Sequence, residues 1–386
     1  MTFKVVTVGC KLNQYYSQLL RESLLRAGFS ESEEPALFII NSCSVTHKAE
    51  RDVRKKARRY AKKGRVIITG CATEELKAEF EYLSYEELLK SLGAEPVRFV
   101  RGLRGRHRAY LRVQTGCDFR CSYCIVPLLR GPSRVRPREE IIAEAKAIEA
   151  SGYREAVIVG AQIGDARLEE LLPELLKATK RVRFRLSSLE PVFVSERLLQ
   201  VVEEAGWRIC KHFHVPLQSA SDRVLRDMGR PYTFSFYEEK ILMIKERFPD
   251  AGLSTDILAG YPTESDEDFL KTLEALGKLP FTRAHVFEFS PRPGTPAAQL
   301  KPLPARITKE RVKRLIEVAK RKSAEFAKSL VGKKLLVLSE GREGTAGNFA
   351  RVEAEFPKEG ELFWVKIIGA KGSTLLGEAL APLEED

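Results

Sequence analysis

The sequence predicts an α/β protein built from three successive parts, and three observations predict it. Short β-branched and apolar runs alternate with helix-period stretches from the start of the chain to about residue 96. The same strand-then-helix order repeats about six times between residues 109 and 325, and short strands separated by Gly turns follow from about residue 331. We therefore expect an N-terminal parallel α/β domain over 1–97, a central partial (β/α)6 barrel over 98–328 and a small antiparallel β-barrel over 329–386.

Each of the first three predicted strands ends in a cysteine. The runs KVVTVGC, ALFIINSC and RVIITGC end in Cys10, Cys43 and Cys71. Parallel strands connected by helices end at the same edge of a sheet, and ligands bind beyond that edge, so we expect the three thiols to converge. The alternative is that they are small buried hydrophobic residues, which does not explain a cysteine at the end of every strand.

A second set of three cysteines follows the first strand of the predicted central barrel. Cys117, Cys121 and Cys124 form a C-x3-C-x2-C run in TGCDFRCSYCIVP. Tetrahedral zinc usually takes four protein ligands, and neither a fourth Cys nor a His follows at the usual spacing. A cubane iron–sulfur cluster held by three thiolates leaves one iron open to a small molecule, and we favour it over a zinc knuckle completed by a distant residue. Cys210 has no such neighbours and is expected to be a buried structural residue.

Composition limits the cell compartment and the class of partner. The chain of 386 residues carries 65 Lys and Arg against 53 Asp and Glu, a net charge of +12 that favours a polyanionic partner. No apolar run approaches the ~20 residues of a membrane helix, and the first residues lack the pattern of a secretion signal. We expect a cytoplasmic protein with no membrane association and no disulfide framework.

These motifs together resemble the radical S-adenosylmethionine (SAM) methylthiotransferases over essentially the whole chain. The three strand-end cysteines and the segment GCDFRCSYCIVPLLRGPSRVRP carry the resemblance, with RLSSLEP, HVPLQSASDRVL, STDILAGYP and SPRPGTPAA in the barrel. The central part then corresponds to a radical SAM barrel, and the last part to the TRAM domain that many of these enzymes use to hold RNA. GCKLNQY is most similar to the branch that acts on N6-threonylcarbamoyladenosine in tRNA. The branch acting on isopentenyladenosine tends to read GCQMN there, and the ribosomal-protein branch GCPKN.

The resemblance implies two [4Fe–4S] clusters and SAM as cofactors. One cluster on Cys117, Cys121 and Cys124 would cleave SAM to a 5′-deoxyadenosyl radical, and a second on Cys10, Cys43 and Cys71 would carry the sulfur. The product would be the 2-methylthio form of N6-threonylcarbamoyladenosine 3′ of the anticodon. The cofactor would do the difficult step while the protein orients the reactants. Residues expected to bind SAM or substrate, with an ordinary packing contact or strand-end hydrogen bond as the alternative for each, are Tyr123, Gln162, Ser188, Glu190, Gln218 and Asp256.

Basic and aromatic residues near the cysteines and in the last domain are candidate RNA contacts. Arginine contacts to phosphates would position an anticodon stem-loop without reading its sequence. The candidates are Arg130, Arg134 and Arg136 after the cluster loop, and Asn348, Phe349 and Arg351 in the small barrel. We also expect a monomer that receives electrons from a donor such as flavodoxin or ferredoxin. The alternatives are the isopentenyladenosine or ribosomal-protein substrate, or a non-catalytic RNA-binding protein with structural zinc.

Overall fold

The computed structural model describes residues 1–103 and 105–383. Its N-terminal unit is a four-stranded sheet with all strand pairs parallel, in the order β2-β1-β3-β4. The parallel sheet predicted from the sequence is confirmed. The strands are β1 (Thr2–Thr7), β2 (Ser30–Glu31), β3 (Leu37–Ser42) and β4 (Arg65–Gly70), and the helices are α1 (Lys11–Arg26), α2 (His47–Tyr60), α3 (Glu74–Glu79) and α4 (Tyr85–Ser91).

Apolar β-branched side chains explain why these strands form the centre of the unit. Ile39 lies between Val5 and Ile67 in register, and all three are buried in one core with residues of α1 and α4. A strand that is buried on both faces consists mainly of consecutive apolar residues, and β3, which begins LFII and is buried throughout, follows this pattern. α2 begins where the Thr46 hydroxyl accepts a hydrogen bond from the Ala49 amide, which caps the helix directly after the cysteine that follows β3.

The central unit contains six parallel strands, β5, β8, β9, β10, β11 and β12, with helices on their outer side. Two parallel sheets, β5-β8-β9 and β10-β11-β12, are linked by parallel bridges, including Ser188 to His214. The predicted partial (β/α)6 barrel is confirmed. In chain order the elements are β5 (Ala109–Arg112), β6 (Gln114–Thr115), α5 (Val126–Arg130), β7 (Arg134–Val135), α6 (Arg138–Ala150), β8 (Glu155–Val159), α7 (Leu168–Ala178), β9 (Arg183–Leu186), α8 (Glu196–Glu204), β10 (His212–His214), α9 (Asp222–Asp227), α10 (Phe234–Arg247), β11 (Gly252–Ala259), α11 (Asp266–Lys278) and β12 (Arg283–Glu288), with 3-10 helices at Ile163–Ala166, Pro191–Phe193, Gly206–Arg208 and Pro296–Gln299.

The inner faces of these strands enclose a space that we call the lumen. It is polar in its lower part, and the N-terminal unit packs against it on one side. On β8, Ala156 and Ile158 join the core under the helices, so the alternate residues of that strand face the lumen. Among the described strands, β5 and β12 are not paired with each other, so the barrel stays open there. Leu12, at the start of α1, packs against Val157 and Val159. The N-terminal unit therefore reaches the lumen.

The last unit is a closed five-stranded barrel in the order β13-β14-β15-β17-β16. Four pairs are antiparallel, as predicted, and β15 pairs with β17 in parallel. A ring with an odd number of strands cannot alternate in direction all the way round, so closure requires a parallel pair. The strands are β13 (Lys334–Ser339), β14 (Glu343–Ala346), β15 (Arg351–Glu353), β16 (Leu362–Lys371) and β17 (Thr374–Pro382).

A long basic helix, α12 (Ala305–Ser329), leads from the central unit into the closed barrel. Leu315 and Ala319 on one side of it are buried in the central core, and Ala327 joins the core of the closed barrel. Across the described ranges, no helix carries an apolar stretch long enough to cross a lipid bilayer.

One buried carboxylate joins the central barrel to the closed barrel. Glu155 is fully buried and pairs with Arg183 and Arg185 at 2.7 Å each, while Arg108 lies 3.4 Å away. Burial alone would raise the pKa of Glu155, but the three guanidiniums outweigh it and hold that pKa well below its usual range. Arg183 also donates to the carbonyl oxygens of Leu336 and Thr345 of the closed barrel, at 2.9 and 3.0 Å. We call Glu155 with its three arginines the arginine clamp.

Candidate active site

All six cysteines of the two predicted sets line one cavity of about 410 Å³. It lies between the carboxyl edge of the N-terminal sheet and the upper end of the central barrel, where the βα loops of such barrels place functional groups. Three cysteines come from the loops after β1, β3 and β4, and three from the loop after β6. The structure thus brings together residues that are up to 114 positions apart, from Cys10 to Cys124.

Gly9 and Asn13 hold the first two strand-end cysteines close together. Gly9 has φ +118°, and a Cβ there would lie 2.6 Å from the Cβ of Cys43, so this approach requires glycine. The Asn13 amide donates to the carbonyl oxygens of Val8 (2.8 Å) and Ser42 (2.7 Å), one in each cysteine loop. Asn13 therefore ties the loop of Cys10 to the loop of Cys43.

The third strand-end cysteine is tied to the second loop in a similar way. The Ser42 hydroxyl lies within hydrogen-bond distance of the carbonyl oxygens of Thr69 (2.7 Å) and Cys71 (3.0 Å), and the Cys71 amide donates to the Ser42 carbonyl. Burial raises the pKa of the Cys71 thiol to about 11, although the neighbouring Arg130 opposes this shift. A buried thiol with a raised pKa is a poor free nucleophile, but a bound metal would deprotonate it.

The loop of the second cysteine set is folded tightly after β6. Gly116 has φ +77°, and a Cβ there would lie 1.9 Å from the carbonyl oxygen of Pro132. The Cys124 amide donates to the Cys121 carbonyl at 3.0 Å, which closes the turn between these two cysteines. Burial raises the pKa of Cys117 to about 11 and that of Cys124 to about 12.

Arg230 is a cavity residue that the sequence analysis did not single out. Its Nη1 lies 3.2 Å from the Cys121 sulfur, its Nε donates to the Tyr232 hydroxyl at 3.0 Å, and its other terminal nitrogen pairs with Glu190. The side chains of Arg230 and Glu190 are both largely buried. The arrangement places a fixed positive charge against a thiol sulfur, with Glu190 as its counter-ion. The sequence around Arg230 reads GRPY, and nothing in these residues predicts a contact with Cys121.

The spacing of the sulfur atoms tests which metal group the two triplets fit. Four thiolates around zinc stand about 3.8 Å apart, given a tetrahedron with Zn–S of about 2.3 Å. Within the described chain, the three-ligand group of His, Cys, Asp or Glu atoms that lies within 4.8 Å is His214, Asp256 and His285, and it contains no cysteine. Neither cysteine triplet therefore brings its three sulfur atoms within 4.8 Å of one another, as the ligands of one ion would be, whereas a cubane cluster separates its ligands further. Three thiols per triplet fit a [4Fe–4S] cluster with one open iron.

The other predicted cofactor-binding residues also line the cavity. Tyr123 is half-buried and packs against an apolar cluster that includes Met228 and Tyr261. The Gln162 side-chain oxygen accepts a weak hydrogen bond from the Gly164 amide, so this oxygen is already engaged in the local turn. The residues that the structure brings to the cavity wall beside the cysteines are Tyr123, Gln162, Ser188, Glu190, Gln218 and Asp256.

Gln218 and Asp256 lie side by side at the floor of the cavity. Gln218 has φ 67°, a left-handed backbone that is costly for a residue with a side chain, and its amide donates to the Asp256 carbonyl at 2.8 Å. The Asp256 carboxylate lies 3.2 Å from Nε2 of His214, whose Nδ1 is 2.9 Å from the Ser254 hydroxyl. Asp256 therefore lines the cavity and also contacts His214 in the lumen below it. His285 on β12 is a further lumen residue that the sequence analysis missed.

Comparison with known proteins places this site in a family. Residues 111–276 match the radical SAM superfamily, and residues 2–89 match the uncharacterized protein family UPF0004. The threonylcarbamoyladenosine tRNA methylthiotransferase MtaB of Thermotoga maritima is 35% identical over 88% of this chain and 86% of its own length. A tRNA-2-methylthio-N(6)-dimethylallyladenosine synthase of Dictyoglomus thermophilum is 32% identical over 99% of both chains. The chain belongs to the radical SAM methylthiotransferases.

A solved structure agrees with this placement at the level of the fold. The radical SAM methyltransferase TsrM of Kitasatospora setae, with tryptophan and a SAM analogue bound, has a TM-score of 0.55 at 16% identity. The match covers 77% of this methylthiotransferase and 74% of TsrM. As a radical SAM methylthiotransferase the protein is an enzyme that transfers sulfur-containing groups, with SAM and a [4Fe–4S] cluster as cofactors.

The three arginines after the cluster loop of this methylthiotransferase have different surroundings. Arg130 lines the cavity, donates to the Asn13 side chain and lies 5.7 Å over the Tyr16 ring. Arg134 is exposed and borders a smaller cavity of about 180 Å³ that also contacts Arg130. Arg136 is buried, pairs with the buried Glu144 and donates to a backbone carbonyl at 2.8 Å. The expectation that Arg136 contacts RNA is corrected, because its guanidinium is held in the interior.

Asn348 and Phe349 both lie against the lower end of the central barrel. The expectation for Asn348 is corrected, because its side chain is buried there. Phe349 is half-buried and borders a cavity of about 910 Å³ together with Lys320 and Arg351, so its contact with RNA stays a prediction. The Phe349 ring stacks on His212 with centroids 4.5 Å apart, and Asn348 donates to the Asp250 carbonyl at 3.1 Å. A Cβ on Gly252 would lie 2.0 Å from the Asn348 carbonyl oxygen, which shows how closely this loop docks. Arg351, in contrast, is exposed and pairs with Glu343 on the surface.

Proposed function

We propose that this enzyme converts N6-threonylcarbamoyladenosine, 3′ of the anticodon of tRNA, to its 2-methylthio form. The observation that carries the proposal is the single cavity lined by two cysteine triplets, one from each of two units. Relatives named threonylcarbamoyladenosine tRNA methylthiotransferase, at 35% and 34% identity, support this substrate. The net charge of +12 supports a nucleic-acid partner.

We assign one [4Fe–4S] cluster to each triplet. Cys117, Cys121 and Cys124 would hold the cluster that binds SAM, and the three strand-end cysteines, Cys10, Cys43 and Cys71, would hold the second. When bound, these groups supply the one-electron chemistry that activates C2 of adenine and the sulfur that replaces its hydrogen. Placing both triplets on one cavity lets a single base meet both groups, which is a gain in proximity.

The remaining cavity residues bind and orient in this proposal. Arg230 places its charge beside Cys121 and stabilises a negatively charged thiolate there, while Glu190 keeps the guanidinium in position. Gln162, Ser188, Gln218 and Asp256 offer amide, hydroxyl and carboxylate groups for the polar parts of SAM or the substrate, and Tyr123 offers a ring face. The buried apolar side chains in the cavity wall, Leu12, Ile125 and Phe289, limit access of water to the reacting atoms.

RNA would approach from the cavity rim and the closed barrel. Arg130 and Arg134 lie on the cavity side, and Arg351 lies on the surface of the closed barrel, which we propose to be a TRAM domain. We propose the boundaries 1–97, 98–328 and 329–386 for the three domains, a monomeric enzyme in the cytoplasm, and an electron donor such as flavodoxin or ferredoxin.

Nucleoside mass spectrometry tests the substrate directly. Transfer RNA from cells with and without the gene is digested, and the 2-methylthio product is expected only where the gene is present. An unchanged amount of this product would overturn the assignment. A second candidate, the isopentenyladenosine substrate, is favoured by the dimethylallyladenosine synthase that aligns over 99% of both chains. Anaerobic turnover of purified enzyme on each modified tRNA separates these two candidates, and includes a ribosomal-protein substrate as a third arm.

A further inference from the structure

The lumen below the cavity continues as an open, polar space along β12. Phe287 lines the cavity with the cysteines, and His285 and Arg283 follow on the same face of the strand toward the closed barrel. All three are exposed, whereas Ala284 and Val286 pack into the core on the other face. Solvent therefore reaches the inner face of β12, and the space below the cavity is not filled by side chains of this strand.

Lys11 enters this space from the N-terminal unit. Its neighbour Leu12 packs against the lumen-facing residues of β8, which fixes the start of α1 at the open side of the barrel. Lys11 is exposed, and its ammonium lies within electrostatic range of Arg185, Arg108 and Glu155 of the arginine clamp and of His285 on β12. Lys11 thus brings a cation of the N-terminal unit to the open side of the central barrel, next to Cys10.

The lumen carries more positive charge than its own carboxylates neutralise. Among the residues that the structure describes, Lys11 and Arg283 have no hydrogen bond or ion pair. Burial lowers the pKa of His285, so this side chain adds no positive charge at neutral pH. Arg283 has only the face of the Phe349 ring, 5.5 Å away. Glu155 already serves three arginines, and the remaining carboxylate, Asp256, contacts His214. Like charges that face one space without a counter-ion favour an anion in that space.

A metal cation fits the same place less well. His214, Asp256 and His285 bring three ligand atoms within 4.8 Å, a spacing that a divalent ion accepts. A dication there would stand in a region where Lys11 and Arg283 already add positive charge, and it would have one carboxylate to offset it. The charge balance therefore favours an anionic group.

We propose that this lumen is the subsite for a carboxylate on the N6 substituent of the substrate adenosine, and that Lys11 determines the specificity for it. The proposal rests on the proposed function, because the threonylcarbamoyl group carries a carboxylate and the isopentenyl group carries no charge. An adenine in the cavity would have the lumen directly below it, reached past Asp256 on the cavity floor.

The other cations at the cavity are less suited to this task. Arg230 is neutralised by Glu190, and Arg130 is held by the Asn13 side chain beside the thiols of Cys71 and Cys10. Both serve groups of the protein itself. Lys11 has a free ammonium, and a charged hydrogen bond to it would distinguish a carboxylate from a neutral group of the same shape.

The test compares two anticodon stem-loop RNAs that differ in one charge. One carries threonylcarbamoyladenosine, and the other carries the corresponding carboxamide, in which threoninamide replaces threonine. Affinity for cluster-loaded protein is measured anaerobically by fluorescence anisotropy, and turnover on the same RNAs is measured by mass spectrometry. We expect wild type to bind the carboxylate RNA at least about tenfold more tightly than the carboxamide RNA. K11Q should bind both equally, and K11R should keep most of the difference.

K146Q is the matched control. Lys146 is exposed on α6, away from the cavity, and the change removes the same charge, so this variant should discriminate as wild type does. Iron content of K11Q is measured beside its affinity, so that loss of the neighbouring cluster is not mistaken for loss of the subsite. Equal binding of the two RNAs by wild type, or unchanged discrimination in K11Q, overturns the role of Lys11 even if wild type forms the 2-methylthio product. If wild type forms no product on threonylcarbamoyladenosine but does on isopentenyladenosine, the proposed function fails instead.

Discussion

The two ends of the central barrel differ in how their charged and reactive groups are paired. At the lower end the arginine clamp pairs one buried carboxylate with three guanidiniums, and two of these also bind carbonyl oxygens of the closed barrel. At the upper end six thiols face a cavity of about 410 Å³, and burial raises the pKa of several of them. The arginine clamp at the lower end is paired within the protein, while the thiols at the upper end require bound groups.

This difference indicates what each end is for. Buried charges with all partners supplied by the protein hold units in a fixed relation, because removing one partner leaves the others uncompensated. Buried thiols with raised pKa values that face a common cavity mark places where metal binding can supply the missing interaction. The closed barrel is thus held at a fixed position relative to the cavity.

The largest expected effect is on metal content at the upper end. Changing Cys117, Cys121 and Cys124 together to Ala should lower iron from about eight to about four per chain, at four irons per cubane, and abolish turnover. Anaerobic iron and sulfide counting measures this. The control is C210A, because Cys210 is buried beside Glu155 and outside the cavity, and its iron content should equal that of wild type. Zinc in place of iron in the wild-type protein would contradict the cluster assignment.

The second effect is on stability at the lower end. E155Q should lower the free energy of unfolding by about 3–5 kcal/mol, since Arg183 and Arg185 would keep buried charges without their carboxylate. Urea unfolding followed by tryptophan fluorescence is suitable, because Trp207 packs against Leu336 of the closed barrel. E353Q, at an exposed site on β15, is the control and should leave the midpoint unchanged. An unchanged midpoint in E155Q would show that the clamp does not hold the two barrels together.

The third effect is on the pH dependence of the same junction. The pKa of Glu155 lies well below its usual value in the folded protein, so the unfolded chain takes up the proton first as the pH falls. The stability from this group is fully present above pH of about 4.3 and is lost below it, by up to about 1.4 kcal/mol per pH unit. As the pH falls from 6 to 3.5, the free energy of unfolding of wild type should therefore decrease more steeply than that of E155Q. Parallel curves for the two proteins would contradict this.

The smallest expected effect distinguishes the roles of two nearby residues of the closed barrel, Arg351 and Phe349. R351A should cost less than about 1 kcal/mol of stability, because its pair with Glu343 is exposed, and should weaken tRNA binding about two- to threefold with a shallower salt dependence. F349A should instead destabilise the protein, because the ring is packed between His212 and Arg185. Filter binding at several salt concentrations and urea unfolding measure the two effects. A larger loss of tRNA affinity in F349A than in R351A, at equal stability, would show that Phe349 contacts RNA.

Local pattern in the sequence determined the three-part fold and the position of each cysteine at the end of a strand. Alternation of apolar runs and helical stretches is a short-range property, and parallel strands then bring their carboxyl ends together whatever the loops contain. The sequence could therefore indicate that Cys10, Cys43 and Cys71 lie at one edge. It also disfavoured a zinc site, since no fourth ligand follows Cys124 at the usual spacing, but it left open a knuckle completed by a distant residue.

Only the tertiary structure decided how the units meet. That both triplets share one cavity, that Arg230 contacts Cys121 over 109 positions, and that Lys11 reaches the barrel lumen all depend on contacts between distant elements. The same holds for the corrected residues: Arg136 is buried because Glu144 accepts its charge, and Asn348 is buried because it donates to the Asp250 carbonyl of the central barrel. A basic or aromatic residue looks the same in a sequence whether it faces solvent or a partner in another unit, because its own neighbours along the chain do not supply that partner.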